Sequence, residues 1–197
     1  DTKKEEWIIK DRERNIVYRD YHAKEKWKPL LESGGDIGRY SLKYQGKYVY
    51  FDENPDNMRI YVKSGFEKEK YREKLFLRQT GDTLIATYDN EGYFCLNNLH
   101  VVNLIDPNSG YDLKCILAIL NSRLMNHYYH IISLELGRTM AQTDIETIEQ
   151  LPIYPATPSQ QKPIIELVDR MLALNKDLHK INTDFDRYVS LYPRVKD

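Results

Sequence analysis

The sequence has little cysteine, no long apolar run and no secretory start. Cys95 and Cys115 are its only cysteines among 197 residues, too few for a disulfide framework or, alone, for a zinc site. The longest purely apolar run, Ile116 to Leu120, is far shorter than the ~20 residues that span a bilayer. No basic segment followed by an apolar stretch opens the chain. We therefore expect a cytoplasmic location and no membrane partner.

Sequence patterns of catalysis are also missing. There is no glycine-rich phosphate or dinucleotide loop and no Gly-x-Ser-x-Gly elbow. His127 and His130 have the spacing of a helical metal pair, but no further ligands lie near them in sequence. Asp106, Asp112 and Lys114 follow the order of metal-dependent nucleases, although a helix start explains an acidic residue at 112 equally well. We predict no catalytic residue and no metal site, and keep a nuclease as the third hypothesis.

The composition is that of a folded domain with an uneven charge distribution. Hydrophobic residues make up 41% and charged residues 30% of the chain. The net charge of −1 conceals 19 basic against 15 acidic residues in 1–80, and 10 against 15 in 81–197. The basic part also contains 13 of the 23 aromatic residues, a combination that suits nucleic acid but is equally typical of a β-rich surface. Because the chain starts at Asp1, we expect it to be a piece of a longer protein.

The hydrophobic pattern predicts an α+β fold, β-rich first and helical afterwards. Period-two runs and turn residues follow one another from 40 to 104, whereas apolar residues recur at three and four from Leu113 onwards. We place a β-rich region at 1–108 and a helical region at 109–197, together forming one domain of a larger protein. The predicted helices span about 111–133, 144–150 and 159–190, and Asp144 is expected to cap the second. Residues 29–32 (PLLE) could form a helical turn.

The last helix carries a heptad-like apolar seam. Its spacing alternates between four and three, with asparagines at two of the seam positions. The seam consists of Ile164, Val168, Met171, Asn175, Leu178, Asn182, Phe185 and Val189. It indicates either helix–helix association through residues 164–189 or an amphipathic helix that packs on its own domain.

Four stretches in series resemble one known family. They are residues 28–40 (KPLLESGGDIGRY), 74–102 (KLFLRQTGDTLIATYD and GYFCLNNLHVV), 117–129 (LAILNSRL, then Tyr128 and Tyr129), and 151–161 (LPIYP, then Gln160 and Gln161). Together they resemble the TaqI-like C-terminal specificity domain of adenine-specific DNA methyltransferases, which occurs in type IIG restriction-modification enzymes. The resemblance covers about residues 28–178 in the order of the family. The closing Leu-Pro and Gln-Gln segment is also similar to type I specificity subunits.

The resemblance implies a DNA target-recognition domain that works for a catalytic domain elsewhere. Double-stranded DNA and a methyltransferase domain of the same parent chain would be its partners. The methylation motif Asn-Pro-Pro-Tyr is missing, and Asn54-Pro55-Asp56-Asn57 is no substitute. We therefore expect no cofactor in this chain, and S-adenosylmethionine, with Mg²⁺ if the parent also cuts DNA, in the parent protein. The family often has a basic residue before its Gly-x-Asp-Ile, where this chain has Glu32-Ser33-Gly34, which weakens a phosphate contact there.

The candidate DNA contacts are basic and amide side chains of the β-rich region and of the loop after 133. Arg and Lys can pair with guanine or phosphate, and Gln with adenine. The candidates are Arg39, Lys43, Lys47, Arg59, Lys63, Arg72, Arg78, Gln79, Arg138 and Gln142. Two alternatives remain open: a protein-interaction or structural module that acts through the last helix, and one half of a type I-like specificity subunit.

Overall fold

A computed structural model describes residues 6–8, 27–50 and 73–191. Within these ranges the chain forms nine strands, a short 3-10 turn at Gly34–Asp36 and four α-helices. The strands are β1 Glu6–Ile8, β2 Trp27–Leu31, β3 Ile37–Gly38, β4 Ser41–Leu42, β5 Lys47–Tyr50, β6 Lys74–Arg78, β7 Ala86–Asp89, β8 Phe94–Cys95 and β9 Leu99–Val102. The helices are α1 Leu113–Asn121, α2 Arg123–Ser133, α3 Ile145–Glu149 and α4 Pro158–Ser190. The predicted α+β fold, with strands followed by helices, is confirmed.

β6 lies at the centre of the core because both of its faces are buried. It pairs antiparallel with β7 on one side and with β9 on the other. Side chains alternate along a strand, so Leu75 and Leu77 point towards the helices while Phe76 points the opposite way. The two leucines join the largest apolar cluster, with Leu117 of α1 and Tyr129 of α2. That cluster therefore draws on the β-rich and the helical regions alike, while their boundary at residue 108 stays a prediction.

The helical turn predicted at residues 29–32 is wrong, because residues 29–31 belong to strand β2. β2 pairs antiparallel with β5 and parallel with β8, and β5 also pairs with β1. Leu30 packs with Val49 and Phe94, whereas Leu31 joins the separate cluster around Phe76. Only an extended backbone sends adjacent side chains to opposite faces, so two buried leucines in a row favour the strand here.

The helix predicted over 111–133 is two helices that are separated at Ser122. Ser122 has an extended backbone (φ −68°, ψ 151°), and its hydroxyl accepts a hydrogen bond from Met125 N as the cap of α2. The side-chain amide of Asn126 donates to the carbonyls of Leu120 and Ser122, at 3.0 and 2.9 Å. The first bond gives Leu120 O a partner at the interruption, whereas Ser122 O also accepts from Asn126 N at 3.1 Å.

The remaining helix ends follow ordinary capping rules. Asp144 accepts a hydrogen bond from Thr147 N at 2.7 Å and caps α3, as predicted. Asp112 caps α1 by accepting from Lys114 N. Helix α4 begins after Thr157 and runs to Ser190, close to its predicted span. In the part of the chain that is described, no helix is long and apolar enough to cross a membrane.

Candidate nucleic-acid interface

The turn between β3 and β4 presents Arg39 at its tip. β3 and β4 pair through Ile37 with Leu42 and Gly38 with Ser41, so Arg39 and Tyr40 form a two-residue turn. Tyr40 has a left-handed backbone (φ 59°), a conformation that costs most residues energy. The backbone N–H of Tyr40 donates to Ala86 O at 3.1 Å, and burial raises the pKa of its hydroxyl. Tyr40 thus anchors the turn, while Arg39 next to it is exposed.

Helix α2 connects this turn to a second group of candidates. Asn126 accepts hydrogen bonds from Leu84 N at 2.9 Å and, more weakly, from the Arg39 guanidinium at 3.5 Å. One turn later on the same helix, His130 Nε2 lies 2.8 Å from Asp82 O. Because a helix rises about 1.5 Å per residue, these two contacts are separated by roughly 6 Å along the axis. Arg39 and the segment around Asp82 are therefore neighbours along α2.

An open cleft lies between residues 80–82 and the loop that follows α2. It has a volume of about 450 Å³ and is lined by residues 80–82 and 138–142. Thr80 and Gln142 form an isolated antiparallel bridge, and Gly81 N donates to Ala141 O at 2.9 Å. Thr143 N donates to Gln79 O at 2.7 Å. The loop is therefore fixed to the end of β6 by backbone hydrogen bonds, which places Gln79, Arg138 and Gln142 close to one another.

The cleft contains charges of both signs. Asp82 accepts a hydrogen bond from Gly137 N, and this bond lowers the pKa of its carboxyl. Arg138 is exposed but forms an ion pair with Glu135, whose other carboxylate oxygen accepts from Gln142 N. Arg138 can therefore meet a phosphate only in competition with Glu135. The cleft alone is a weaker anion site than its arginine suggests.

The Arg78 side chain makes its contacts mainly within the protein. Its terminal nitrogen donates to Ile37 O at 2.6 Å, and its Nε is buried with no hydrogen-bond partner among the described residues. Burial lowers the pKa of its guanidinium, because removal from water disfavours the charged form. The side chain also packs on Gly34, where an added Cβ would lie 3.0 Å from Arg78 Cγ. Arg78 therefore connects β6 to the segment 34–37.

The other candidate residues differ in exposure and in whether they have an acidic partner. Lys43 is exposed just after β4, and its Cε lies 3.9 Å from the position of a Cβ added at Gly38. In the described part of the chain, neither Arg39 nor Lys43 takes part in a salt bridge. Lys47 forms an ion pair with Glu32 in the four-stranded sheet. The candidates Arg59, Lys63 and Arg72 lie outside the described residues.

Sequence reasoning missed a set of buried polar side chains that bind backbone groups, Asp36 within its own segment and the others mainly in more distant ones. We call Asp36, Asn121, Asn126 and Gln161 the backbone joints. The Asp36 carboxylate accepts from the N–H groups of Glu32 and Ser33, at 2.7 and 2.9 Å. Asn121 accepts from Ala86 N and donates to Ala86 O, both at 3.0 Å.

Gln161 is the joint at the start of α4. Its side-chain oxygen accepts from Asp112 N at 2.9 Å, and its nitrogen donates to Gly110 O and Ala156 O. All four joints lie in the stretches that carry the family resemblance. A polar residue among apolar residues of a predicted core segment could have indicated such a role, because buried polar groups are usually hydrogen-bonded.

The nuclease-like order of Asp112 and Lys114 has a structural explanation. The Asp112 carboxylate caps α1, and Lys114 Nζ forms a salt bridge with Asp169 of α4 at 2.7 Å. His130 contacts Asp82 O, while His127 is exposed on α2. Within the described ranges, no group of three or more His, Cys, Asp or Glu residues could hold a metal ion. The arrangement favours capping and packing roles for these residues.

Comparison with known proteins supports the resemblance. No curated protein matches the chain. The family model described as the TaqI-like C-terminal specificity domain matches residues 28–153, which is more than half of the chain. This match contains the β3–β4 turn, β6 to β9, α1, α2 and the cleft. The chain therefore belongs to the family of TaqI-like C-terminal specificity domains.

Proposed function

We propose that this chain binds duplex DNA and recognises its sequence for a catalytic domain of the same parent protein. The family match over 28–153 is the observation that carries this proposal. The geometry supports it through the β3–β4 turn, where a strained and anchored Tyr40 keeps Arg39 exposed. Binding residues commonly lie on loops that a rigid scaffold positions.

Arg39 and Lys43 are the best-placed DNA contacts among the described candidates. Both are exposed, Arg39 in the turn of the β3–β4 hairpin and Lys43 directly after β4, whereas Lys47 and Arg138 have acidic partners. A guanidinium at a turn can pair with a phosphate or with the edge of a guanine. The cleft next to α2 adds Gln142, and Gln79 lies beside it, where its backbone carbonyl accepts from Thr143 N. The side-chain amides of both glutamines match an adenine edge in chemistry. We assign Arg39 and Lys43 to affinity and the two glutamines to base recognition.

In the parent protein, the partner domain would be an adenine-N6 methyltransferase of the type IIG restriction-modification class, in the cytoplasm. Such an enzyme swings its target base out of the duplex, so a second domain must hold the DNA. S-adenosylmethionine would bind to that partner domain, and Mg²⁺ would be needed there if the parent also cleaves DNA. An Asn-Pro-Pro-Tyr motif in the reading frame before Asp1 would support this assignment, and a frame without any methyltransferase motif would contradict it.

A salt series tests the DNA-binding proposal directly. Fluorescence anisotropy with a labelled duplex should show affinity that falls linearly on logarithmic axes as salt increases. The double variant Arg39→Gln and Lys43→Gln should bind more weakly, and its salt slope should be smaller by about 1.8 if both residues contact phosphates.

The matched control removes the same charges from the far end of α4. Lys180→Gln with Arg187→Gln changes one lysine and one arginine that are exposed on that helix. Its affinity and slope should stay at the parent values. Equal losses in the two double variants would show a general charge effect and would reject the hairpin as the contact. No binding of the unchanged chain at low salt would reject the proposal itself.

A further inference from the structure

Gln142 lies on a short pair of backbone segments that sets the direction of its side chain. It forms the isolated antiparallel bridge with Thr80, and the hydrogen bonds flank this bridge instead of joining its two residues. In a pair of this kind the two opposite side chains lie close together on one face, while the adjacent side chains turn to the other face. Ala141 and Thr143 are accordingly buried, at 6% and 0% exposed, whereas Gln142 and Thr80 are exposed.

The backbone of Gln142 is also bonded on its outer side. Its N–H donates to the Glu135 carboxylate at 3.3 Å, and its carbonyl accepts from the Tyr129 hydroxyl at 3.4 Å. These two bonds are long, but the buried Thr143 comes next in the chain, and its carbonyl lies 2.7 Å from His100 Nε2. The backbone of Gln142 is therefore already in place, so that a ligand has to order only the torsions of its side chain.

The side-chain amide of Gln142, in contrast, is available to a ligand. The sequence has six glutamines, and all of them lie within the described ranges. Four of them use their side-chain amides in hydrogen bonds within the protein, namely Gln45, Gln150, Gln160 and Gln161. Among the described residues, the amides of Gln79 and Gln142 have no such bond. Gln142 is exposed and lines the cleft, whereas Gln79 is half-buried and belongs to the other face of the bridge.

The charges around Gln142 disfavour a phosphate and suit a neutral base edge. Arg138 is paired with Glu135, and the carboxylate of Asp82 belongs to the same cleft. A phosphate in the cleft would meet the negative charge of Asp82 while Arg138 is already neutralised. The edges of the bases carry hydrogen-bonding groups without a net charge, so this repulsion does not apply to them.

Adenine is the base whose edge matches a single amide of this kind. In the major groove it presents the N7 acceptor beside the N6 donor, and glutamine can bond to both at once. Guanine presents two acceptors there, and in the minor groove adenine presents an acceptor alone. We propose that Gln142 reads an adenine in the major groove of the DNA target, and that the backbone bonds of residues 141–143 position it for this contact. The inference rests on the proposed DNA binding and adds to it one base and the residue that selects it.

Selection from a pool of duplexes with a randomised segment, followed by sequencing of the bound fraction, tests the assignment. The unchanged chain should enrich a motif in which one position is adenine. Gln142→Ala should reduce the preference at that position from about 10- to 100-fold to nearly none, and should leave the other positions and the salt slope unchanged. Gln142→Glu should enrich cytosine there, because a carboxylate accepts from the amino group of cytosine.

Gln150→Ala is the matched control. Gln150 is also exposed, but its amide donates to Glu146 O at 3.0 Å beside α3. The motif that this variant selects should equal that of the unchanged chain. If Gln150→Ala relaxed the adenine position as far as Gln142→Ala does, the loss would not be particular to the cleft, and the assignment to Gln142 would be wrong.

A modified base distinguishes a direct contact from an indirect one. 7-Deazaadenine at the selected position keeps its base pairing but lacks the N7 acceptor. It should weaken binding of the unchanged chain about tenfold and leave binding of Gln142→Ala as it was. Equal losses in the two proteins, or a chain that binds duplexes but enriches no motif that responds to Gln142→Ala, would overturn the assignment. A chain that binds no duplex at all would instead reject the proposed DNA binding.

Discussion

The interior of the family segment and the outer half of α4 use polar and apolar residues in opposite ways. In the interior, polar side chains such as Asn121 and Asn126 are buried. They accept hydrogen bonds from Ala86 N of β7 and from Leu84 N just before that strand. On α4 beyond Val168, apolar side chains are exposed in a regular seam. Asparagines also occur there, but Asn175 donates only to Met171 O of its own helix. The same residue type thus joins segments in one region and contributes little to the tertiary structure in the other.

The buried amides also account for the structural role of two residues in the segment that matches the family. A buried amide that satisfies two backbone groups tolerates few replacements, since its loss leaves donors and acceptors without partners. Asn121 and Asn126 are of this kind, because they join α1 and α2 to Ala86 and Leu84. The stretches that carry the family resemblance therefore contain residues that hold the fold together as well as the candidate contacts Arg39, Arg78 and Gln79.

The largest expected effect tests the most deeply buried charges of the interior. Lys74 and Asp89 form an ion pair at 2.8 Å, and both side chains are 0% exposed. Lys74→Met leaves the Asp89 carboxylate buried without its cation, which should lower the free energy of unfolding by about 3–5 kcal/mol. Urea denaturation followed by circular dichroism measures this loss.

The control is the ion pair that joins α1 to α4 at the surface. Lys114 and Asp169 are 2.7 Å apart, with side chains 24% and 51% exposed. Lys114→Met should change the free energy of unfolding by less than about 1 kcal/mol, because exposed pairs contribute little. Similar losses of unfolding free energy in Lys74→Met and Lys114→Met would contradict the expected difference between buried and exposed ion pairs.

A smaller effect is expected from the amides. Asn121→Ala removes both bonds to Ala86 and leaves the Ala86 N–H buried without its partner. We expect a loss of about 2–3 kcal/mol in the free energy of unfolding. Asn175→Ala removes one exposed bond on α4 and should be neutral or slightly stabilising, since alanine is the better helix former. Thermal unfolding of the two variants side by side decides between these values, and a neutral Asn121→Ala would show that this joint contributes nothing.

Strands β5 to β9 were accessible from the sequence because their signal is local, and the β-like pattern predicted over residues 40–104 contains all five. Strand β2 was not, since part of it was predicted as a helical turn. The interruption of the helix at Ser122 could not be predicted from the sequence, since serine and asparagine are tolerated within helices. The interruption is accompanied by side-chain hydrogen bonds of Asn121 with Ala86 and of Asn126 with Leu84 N and the buried Leu120 O. Ala86 and Leu84 are distant in sequence from the two asparagines.

The two seams of α4 show the same limit. Met171, Leu178 and Phe185 belong both to the predicted seam and to a second line of exposed apolar residues that runs through Leu167, Leu174 and Ile181, so periodicity alone could not separate the two lines. Packing separates them, because Val168 lies against the core while Leu167 and Leu174 are exposed. Likewise, the basic candidates could be named from residue type, but their acidic partners could not. Lys47 with Glu32 and Arg138 with Glu135 became recognisable only from the tertiary structure.

The smallest expected effect compares alanine substitutions at two adjacent glycines, Gly34 beside Arg78 and Gly35 at the surface. A Cβ added at Gly34 would lie 3.0 Å from Arg78 Cγ and 3.1 Å from Thr80 Oγ1, whereas at Gly35 the nearest atom is Ser33 Oγ at 3.4 Å. Gly34→Ala should therefore displace Arg78 and cost about 1–2 kcal/mol, as overpacking does. Gly35→Ala should cost less than about 0.5 kcal/mol, as surface substitutions usually do.

Urea denaturation of the two alanine variants compares these values, and the outcome bears on the DNA-contact assignment. Arg78 donates to Ile37 O, so its displacement should loosen the β3–β4 turn that presents Arg39. Gly34→Ala should consequently weaken duplex binding as well as stability, while Gly35→Ala should change neither. If Gly34→Ala lowered stability but left binding at the parent value, Arg78 would stabilise the fold without positioning Arg39, and the turn would owe its geometry to Tyr40 alone.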